Sequence, residues 1–314
     1  MRIGILSTSS IAPRFIAAVR EEGSFEITAL SSRTQEKAEQ KAKAWEISKA
    51  YGSHEALLAD KDVDIIYISA VNSSHYKWAK AALEAGKHVI CEKPCTTQEA
   101  QTRELFALAK EKGLFLMEAQ KMLFLPAVQA VKEAIDSGKL GTVRMAEFNH
   151  SFYGSYNNWM YDESLGGGPL LSSAIYVIEL LQFLFGCDVA ETSGICTKHP
   201  GTNVEEQYVI SGRMENGVLF SLKNSTVALL KNGACIYGEK GYAELPDYWK
   251  ARKVIFCDHK ETQVQEYPCD HELVYEVRHI AQCFQKGLTE SPVVTGDFSA
   301  SAIHVLEQMK AKWN

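Results

Sequence analysis

The chain has no surplus of positive charge. Thirty-three Lys and Arg stand against 39 Asp and Glu, a formal net charge of -6 at pH 7. No long basic run is present either, so nucleic acid is not expected as a partner. A long apolar run is also missing. The best stretch, YVIELLQFLFG at 176–186, is short for a membrane span and is broken by Glu179 and Gln182, so no membrane partner is expected. The opening residues Met1–Leu6 run straight into a strand pattern, without the charged, apolar and small-residue segments of a secretory leader. The eight cysteines include no C-x-x-C pair, and Cys91 and Cys95 have no histidine-rich surroundings. Metal is therefore not expected. Reduced thiols in a cytoplasmic protein are.

Two further absences concern one particular site. Residues 4–12 read GILSTSSIA: a short apolar strand, a polar turn, then a helix start. A dinucleotide-binding turn carries G-x-G-x-x-G or G-x-G-x-x-A there, but Ser7 and Ser9 occupy the first two glycine positions and only the small Ala12 remains. Serine keeps the main-chain amides and adds a hydroxyl that can donate to phosphate. The helix after the turn offers unpaired N–H groups, with Ser10 suited to its N-cap. On these residues alone, a phosphate turn formed by Ser7, Thr8, Ser9, Ser10 and Ile11 and a strand–turn–helix that binds nothing both remain open. The second absence is the acid that an NAD site places about twenty residues on. The second strand ends ALSSRTQEK, so Ser32 and Arg33 stand at its tip and Lys37 one turn later. A guanidinium there suits a 2′-phosphate and favours NADP, with NAD still possible.

The patterns that are present divide the chain in two. In residues 1–120, short apolar strands (RIGIL, FEITAL, VDIIYISA, KHVICE, LFLMEA) alternate with helical segments, which implies βαβ units and a doubly wound parallel sheet of Rossmann type. Residues 121–314 carry a helix, then successive strands without intervening helices (TVRMAEFNHSF, EEQYVISGRM, GVLFSLKNST, GACIYGEKGYAEL, RKVIFCD, TQVQEYP). This implies an α+β domain with a large, mainly antiparallel, open sheet, one embedded helix near 169–185 and final helices returning toward the first domain. Open α/β sheets bind ligands beyond the carboxyl ends of their strands. That singles out Asn72 and His75 after the fourth strand and Glu92, Lys93 and Pro94 after the fifth. A lysine in that place can favour hydride transfer electrostatically at a reacting hydroxyl or carbonyl.

With these residues in view, the chain resembles the glucose–fructose oxidoreductase, inositol dehydrogenase and MocA family, in particular the branch of trans-dihydrodiol dehydrogenases. GKHVICEKP, preceded by VNSSH and the strand–turn–helix at 4–12, carries the likeness, which extends through GGGPLLSSAIY at 166–176 to the closing YEVRHIAQCFQKGLTESPVVT. The resemblance implies a Rossmann domain followed by an α/β domain that often dimerises. It implies hydride transfer between a nicotinamide and a carbinol or carbonyl carbon of a small polyol, sugar or cyclic diol. It further implies Lys93 as the active-site lysine and Glu92 as its support. Ser172 and Tyr176 stand at the helix positions where the family commonly has Asp and then His or Tyr. Tyr176 would relay the hydroxyl proton, with Lys93 favouring its ionised form; Ser172 can only hydrogen-bond. Gln120 and Lys121 would lie nearest nicotinamide and substrate, and Trp159 replaces an arginine, favouring a ring or sugar face over an anion. The lost glycines, the Asp missing at 172 and the arginine missing at 159 keep one rival open, a non-catalytic cofactor- or sugar-binding regulator; the resemblance keeps a second, redox-assisted glycoside cleavage or epimerisation, as in some members of the family.

Overall fold

The computed structural model describes residues 1–152 and 158–313. In chain order the first elements are β1 (Arg2–Leu6), α1 (Ala12–Glu22), β2 (Glu26–Ser31), α2 (Gln35–Ala44), β3 (Lys49–Tyr51), α3 (His54–Leu58), β4 (Ile65–Ile68), α4 (His75–Glu84), β5 (His88–Glu92), α5 (Glu99–Lys112) and β6 (Leu116–Ala119). There follow α6 (Pro126–Asp136), β7 (Val143–Ser151), α7 (Ile175–Phe185), β8 (Val189–Lys198), β9 (Glu205–Met214), β10 (Leu219–Ser225), β11 (Gly233–Gly238), β12 (Gly241–Pro246), β13 (Lys253–Asp258) and β14 (Thr262–Glu266). Two helices, α8 (Val274–Gln285) and α9 (Gly296–Trp313), complete the series.

The chain forms two compact units, Met1–Gln120 with His271–Ala300 and Lys121–Asp270 with Ser301–Asn314. The first break falls at 120/121, and the chain returns to the first unit with α8. There α8 packs against α1. The first unit is built on a parallel six-stranded sheet in the order β3-β2-β1-β4-β5-β6. Its central strands are covered on both faces, which is why Ile3, Ile5, Ile65, Ile66 and Val89 form near-continuous apolar runs. The strand order reverses between β1 and β4, the crevice where such sheets take ligands. The helices start where their residues predict: Thr34 accepts from the Lys37 amide to cap α2, and Ser53 accepts from the Ala56 amide to cap α3. At α1 the cap is Ile11, not Ser10, with no side-chain cap; proline occupies the first turn, where its missing N–H costs nothing.

The second unit holds an eight-stranded sheet in the order β14-β13-β12-β11-β7-β10-β9-β8. All its pairs are antiparallel except β7 with β10. Alternation along β7 and β10 buries Ala146, Phe148, Leu222 and Phe220 on one face and leaves Met145 and Leu219 partly exposed on the other. Strands β3 and β8 carry no clear sequence signal. The first has three residues, and the second is an edge strand with small and polar residues and little burial. By length and composition the segment Glu163–Phe185 passes as a membrane span, contrary to the reading of 176–186 alone, yet 83% of its most apolar window is buried within the protein. Glu179 and Gln182 are buried with it.

Candidate active site

In the first unit the candidate residues gather at the carboxyl ends of the strands. Ser7, directly after β1, has a φ of 83°, the left-handed region that a glycine adopts without strain. The turn thus keeps the glycine conformation with a serine in it. The Ser9 hydroxyl donates to that of Ser69 at 2.8 Å, joining the β1 turn to the residue after β4 at the switch point. Thr8 and Ile11 are half-buried, and Ser10 is exposed. Helix α1 begins with no side-chain cap and no acid in its first turn, so its leading amides retain their capacity for an anion.

One turn into α1, Phe15 stacks on Tyr67 of β4 with ring centroids 3.7 Å apart. The Tyr67 hydroxyl in turn donates to Glu92 Oε1 at 2.6 Å. The phosphate-type turn and the Glu92–Lys93 loop are therefore held by one buried relay. Lys93, half-buried, precedes a cis peptide to Pro94. Both ring nitrogens of His75 are engaged within the protein. It is 1% exposed, with Nδ1 2.8 Å from the Pro94 carbonyl and Nε2 3.0 Å from the Ala70 carbonyl, so it fastens the loops after β4 and β5 to each other. Burial lowers its pKa, against the pull of those two carbonyls. Asn72 lies in the short helical turn Asn72–Ser74 and is buried, as is Gln120 at the end of the first unit.

At the tip of β2, Ser31 and Ser32 are buried, whereas Arg33 and Lys37 point to solvent. The Ser32 amide donates to the Tyr51 carbonyl at 3.0 Å, tying this tip to β3. No carboxylate from β2 occupies it. These features fit a nicotinamide dinucleotide: a turn in glycine conformation, uncapped helix amides, and a strand tip offering hydroxyls and a cation.

In the second unit, Ser172 lies in a π-helical turn, Leu170–Ala174, that runs into α7 and brings Tyr176 one turn later. The Ser172 hydroxyl donates to the Gly168 carbonyl at 2.8 Å. Tyr176 is 8% exposed, and the ammonium of the equally buried Lys121 stands 5.9 Å from its ring centroid. Within this unit Lys121 is thus the cation at the Tyr176 ring, a pairing that sequence spacing could not show, since 54 residues and no periodicity separate the two. Trp159, half-buried in the helical turn Asn158–Tyr161, is tied to the glycine run by close contact. A Cβ on Gly167 would stand 2.5 Å from the Met160 carbonyl oxygen and 2.8 Å from that of Trp159. Gly168 has a φ of 108°, and a Cβ there would meet Glu205 Oε1 at 2.5 Å. That oxygen accepts the Leu170 amide at 2.7 Å and so caps the helix start. Burial raises the Glu205 pKa. No sequence pattern marks Glu205, because its role depends on a strand 35 residues from the amide it accepts.

Known proteins agree with this geometry. Residues 1–120 match the model of the oxidoreductase family with an NAD-binding Rossmann fold, and residues 128–244 match the GFO/IDH/MocA C-terminal domain. The trans-1,2-dihydrobenzene-1,2-diol dehydrogenase of Mus musculus is 32% identical over 319 residues, covering 99% of this chain and 96% of its own. That of Homo sapiens is 30% identical over 320 residues, again covering 99% and 96%. Among solved structures, the 3-ketoreductase KijD10 of Actinomadura kijaniata in complex with NADP and TDP-benzene aligns with a TM-score of 0.90 at 24% identity, over 99% of this chain and 97% of that one. The aldose-aldose oxidoreductase of Caulobacter crescentus complexed with glycerol aligns with a TM-score of 0.89 at 23% identity, over 98% and 96%. Fold, strand-tip chemistry and kinship converge: the chain belongs to the Gfo/Idh/MocA oxidoreductases and is a nicotinamide-dependent oxidoreductase acting on CH–OH groups.

Proposed function

We propose that the protein prefers NADP(H) over NAD(H) and interconverts a carbinol and a carbonyl on a small cyclic diol, with polyols and sugars as the wider substrate class. The observation that carries the cofactor preference is the tip of β2, where two buried serines and the exposed Arg33 stand in place of an acid. The named activity of the dihydrodiol dehydrogenases, similar over nearly the whole chain, supports the cyclic diol. Variants of KijD10 at one lysine and at one tyrosine are among the similar solved structures, the two residue types assigned to the chemistry here.

The cofactor, when bound, supplies the hydride donor or acceptor. Ser7, Thr8, Ser9 and Ile11 would hold its pyrophosphate through the turn and helix amides, Ser32, Arg33 and Lys37 its ribose phosphate, and Asn72, Glu92 and Gln120 its remaining polar groups. Ser10 adds a main-chain amide. Lys93 carries a positive charge to the reacting oxygen and stabilises the negative charge that builds there. Tyr176 moves the hydroxyl proton. Lys121 at the Tyr176 ring and the aromatic Trp159 orient the substrate, and Ser172 holds the helix start that positions Tyr176.

Two assignments concern the setting. Met145, Leu219, Val209, Ile195 and Val264 are exposed on the same face of the eight-stranded sheet, a patch suited to a second copy of the chain. Eight free cysteines suit the reducing cytoplasm.

The test is cofactor affinity by nicotinamide fluorescence. NADPH should bind more tightly than NADH. Arg33→Ala should weaken NADPH by about 1.5–3 kcal/mol, the worth of a charge-assisted contact, and leave NADH unchanged. Equal losses for both cofactors would overturn the assignment.

A further inference from the structure

The tip of β2 is not built by Arg33 alone. The turn between β3 and α3 approaches the start of α2 so closely that a Cβ on Gly52 would lie 2.8 Å from the Gln35 amide nitrogen. This contact brings His54, the first residue of α3, to the strand tip that precedes Arg33. There the His54 Nδ1 lies 2.8 Å from the Ser31 hydroxyl. The imidazole edge meets the Trp78 ring of α4, with centroids 4.8 Å apart and planes at 82°. The Lys77 ammonium stands 4.4 Å from the centroid of the same Trp78 ring. A half-buried imidazole thus stands between the strand tip that leads into Arg33, two residues after Ser31, and the Trp78 ring that carries the Lys77 ammonium. The acid facing the imidazole is Glu55, also on α3.

We propose that His54 is a cofactor-specificity residue. Together with Arg33 and Lys77 it forms the cationic pocket for the 2′-phosphate of NADP(H), and it takes up a proton from solvent when that phosphate binds. The inference rests on the NADP reading given above. Like charges gathered at one strand tip repel one another, and a dianion turns that repulsion into attraction.

Without ligand, His54 has a pKa below the ordinary histidine value. Burial is the largest cause, Glu55 opposes it, and Lys77 and Arg33 add to the lowering. The ring is therefore neutral at pH 7. A phosphate dianion beside it favours the imidazolium and moves its pKa upward. The Ser31 hydroxyl can donate to Nδ1 or accept from it, so it serves both protonation states. Binding of NADP(H) should consequently strengthen as pH falls from 8 toward 6.5. The 2′-phosphate loses its own second proton near pH 6, as phosphate monoesters do. The comparison must therefore be between proteins with the same ligand.

The experiment is isothermal titration of NADP+ and NAD+ into the wild-type protein and His54→Gln, at pH 6.5 and 8, in buffers of contrasting ionisation enthalpy. Glutamine retains a partner for Ser31 but cannot titrate. At pH 6.5 the variant should bind NADP+ roughly tenfold more weakly, the equivalent of one pKa unit. It should also take up measurably fewer protons than the wild type, while its NAD+ affinity stays the same. At pH 8 the difference in NADP+ affinity should shrink. Equal NADP+ affinity and equal proton uptake in the two proteins would overturn the proposal. So would a parallel loss of NAD+ binding, which marks a structural role. If the wild type itself binds NADP+ and NAD+ alike and Arg33→Ala changes neither, the NADP reading fails and this proposal with it. Wild-type preference with an indifferent His54 overturns this proposal alone.

Discussion

Two turns in this protein begin helices beside candidate functional residues, and they solve the same backbone problem differently. The turn after β1 places Ser7 at φ 83° and uses a side-chain hydroxyl, that of Ser9, to bridge to Ser69. The turn before α7 keeps glycine at 167 and 168, where main-chain carbonyls of Trp159 and Met160 and the Glu205 carboxylate occupy the space that side chains would need. The first turn needs only a backbone conformation, which serine tolerates at a cost of about 1–2 kcal/mol. The second needs physical room at 167 and 168, and a positive φ at 168 besides, so no residue but glycine will do there. A lost glycine motif therefore does not by itself mean a lost site. What matters is whether a Cβ would meet something.

The largest expected effects are chemical and come from residues that follow each turn's unit. Lys93→Met and Tyr176→Phe should each depress turnover about a hundredfold to a thousandfold, the usual loss for one preorganised electrostatic or proton-transfer group, with cofactor affinity nearly unchanged. Steady-state rates alongside nicotinamide fluorescence check this. A Tyr176→Phe variant that keeps normal turnover but melts earlier would return Tyr176 to a packing role.

Next in size is Gly167→Ala, which forces a methyl against two carbonyl oxygens and should destabilise by about 1–3 kcal/mol. Chemical denaturation would show it. Glu205→Gln should act in the opposite direction. Because burial raises the Glu205 pKa in the folded protein, the folded state holds its proton more tightly than the unfolded one. Stability from this group is present at low pH and is lost as pH rises from the ordinary carboxylate range through the raised value. The glutamine variant, still able to accept the Leu170 amide, should melt higher than wild type at pH 8 and lose that advantage near pH 4. The smallest effect is expected of Ser7→Gly. Relief of the left-handed strain is partly offset by glycine's greater chain entropy, which leaves a gain of a few tenths of a kcal/mol in thermal melts. A clear loss of stability there would break the contrast between the two turns.

The same contrast explains how much of the fold and site is legible in the sequence. In the first unit the candidate residues follow strand ends, and strand ends are marked by apolar runs that stop at polar residues. Lys93, Arg33 and the serine turn were therefore legible. His75 is legible as a candidate, but its two carbonyl partners come from different loops and no spacing marks them. The short β3 and the polar edge strand β8 left too few apolar positions to register. In the second unit the polar pairings depend on register in a sheet of non-local strands. Glu205 under Leu170 and Lys121 at Tyr176 join segments with no sequence relation, and the π-helical turn that carries Ser172 has no residue signature.

The most direct measurement is the appearance of reduced nicotinamide at 340 nm when wild-type protein is mixed with NADP+ and a trans cyclic diol, repeated with Lys93→Met. NADPH should accumulate with wild type, little or no NADH should form from NAD+ at the same concentration, and the variant should be at least a hundredfold slower. Tight NADP+ binding without any reduction across cyclic diols, polyols and aldoses, or an undiminished rate in Lys93→Met, would contradict it.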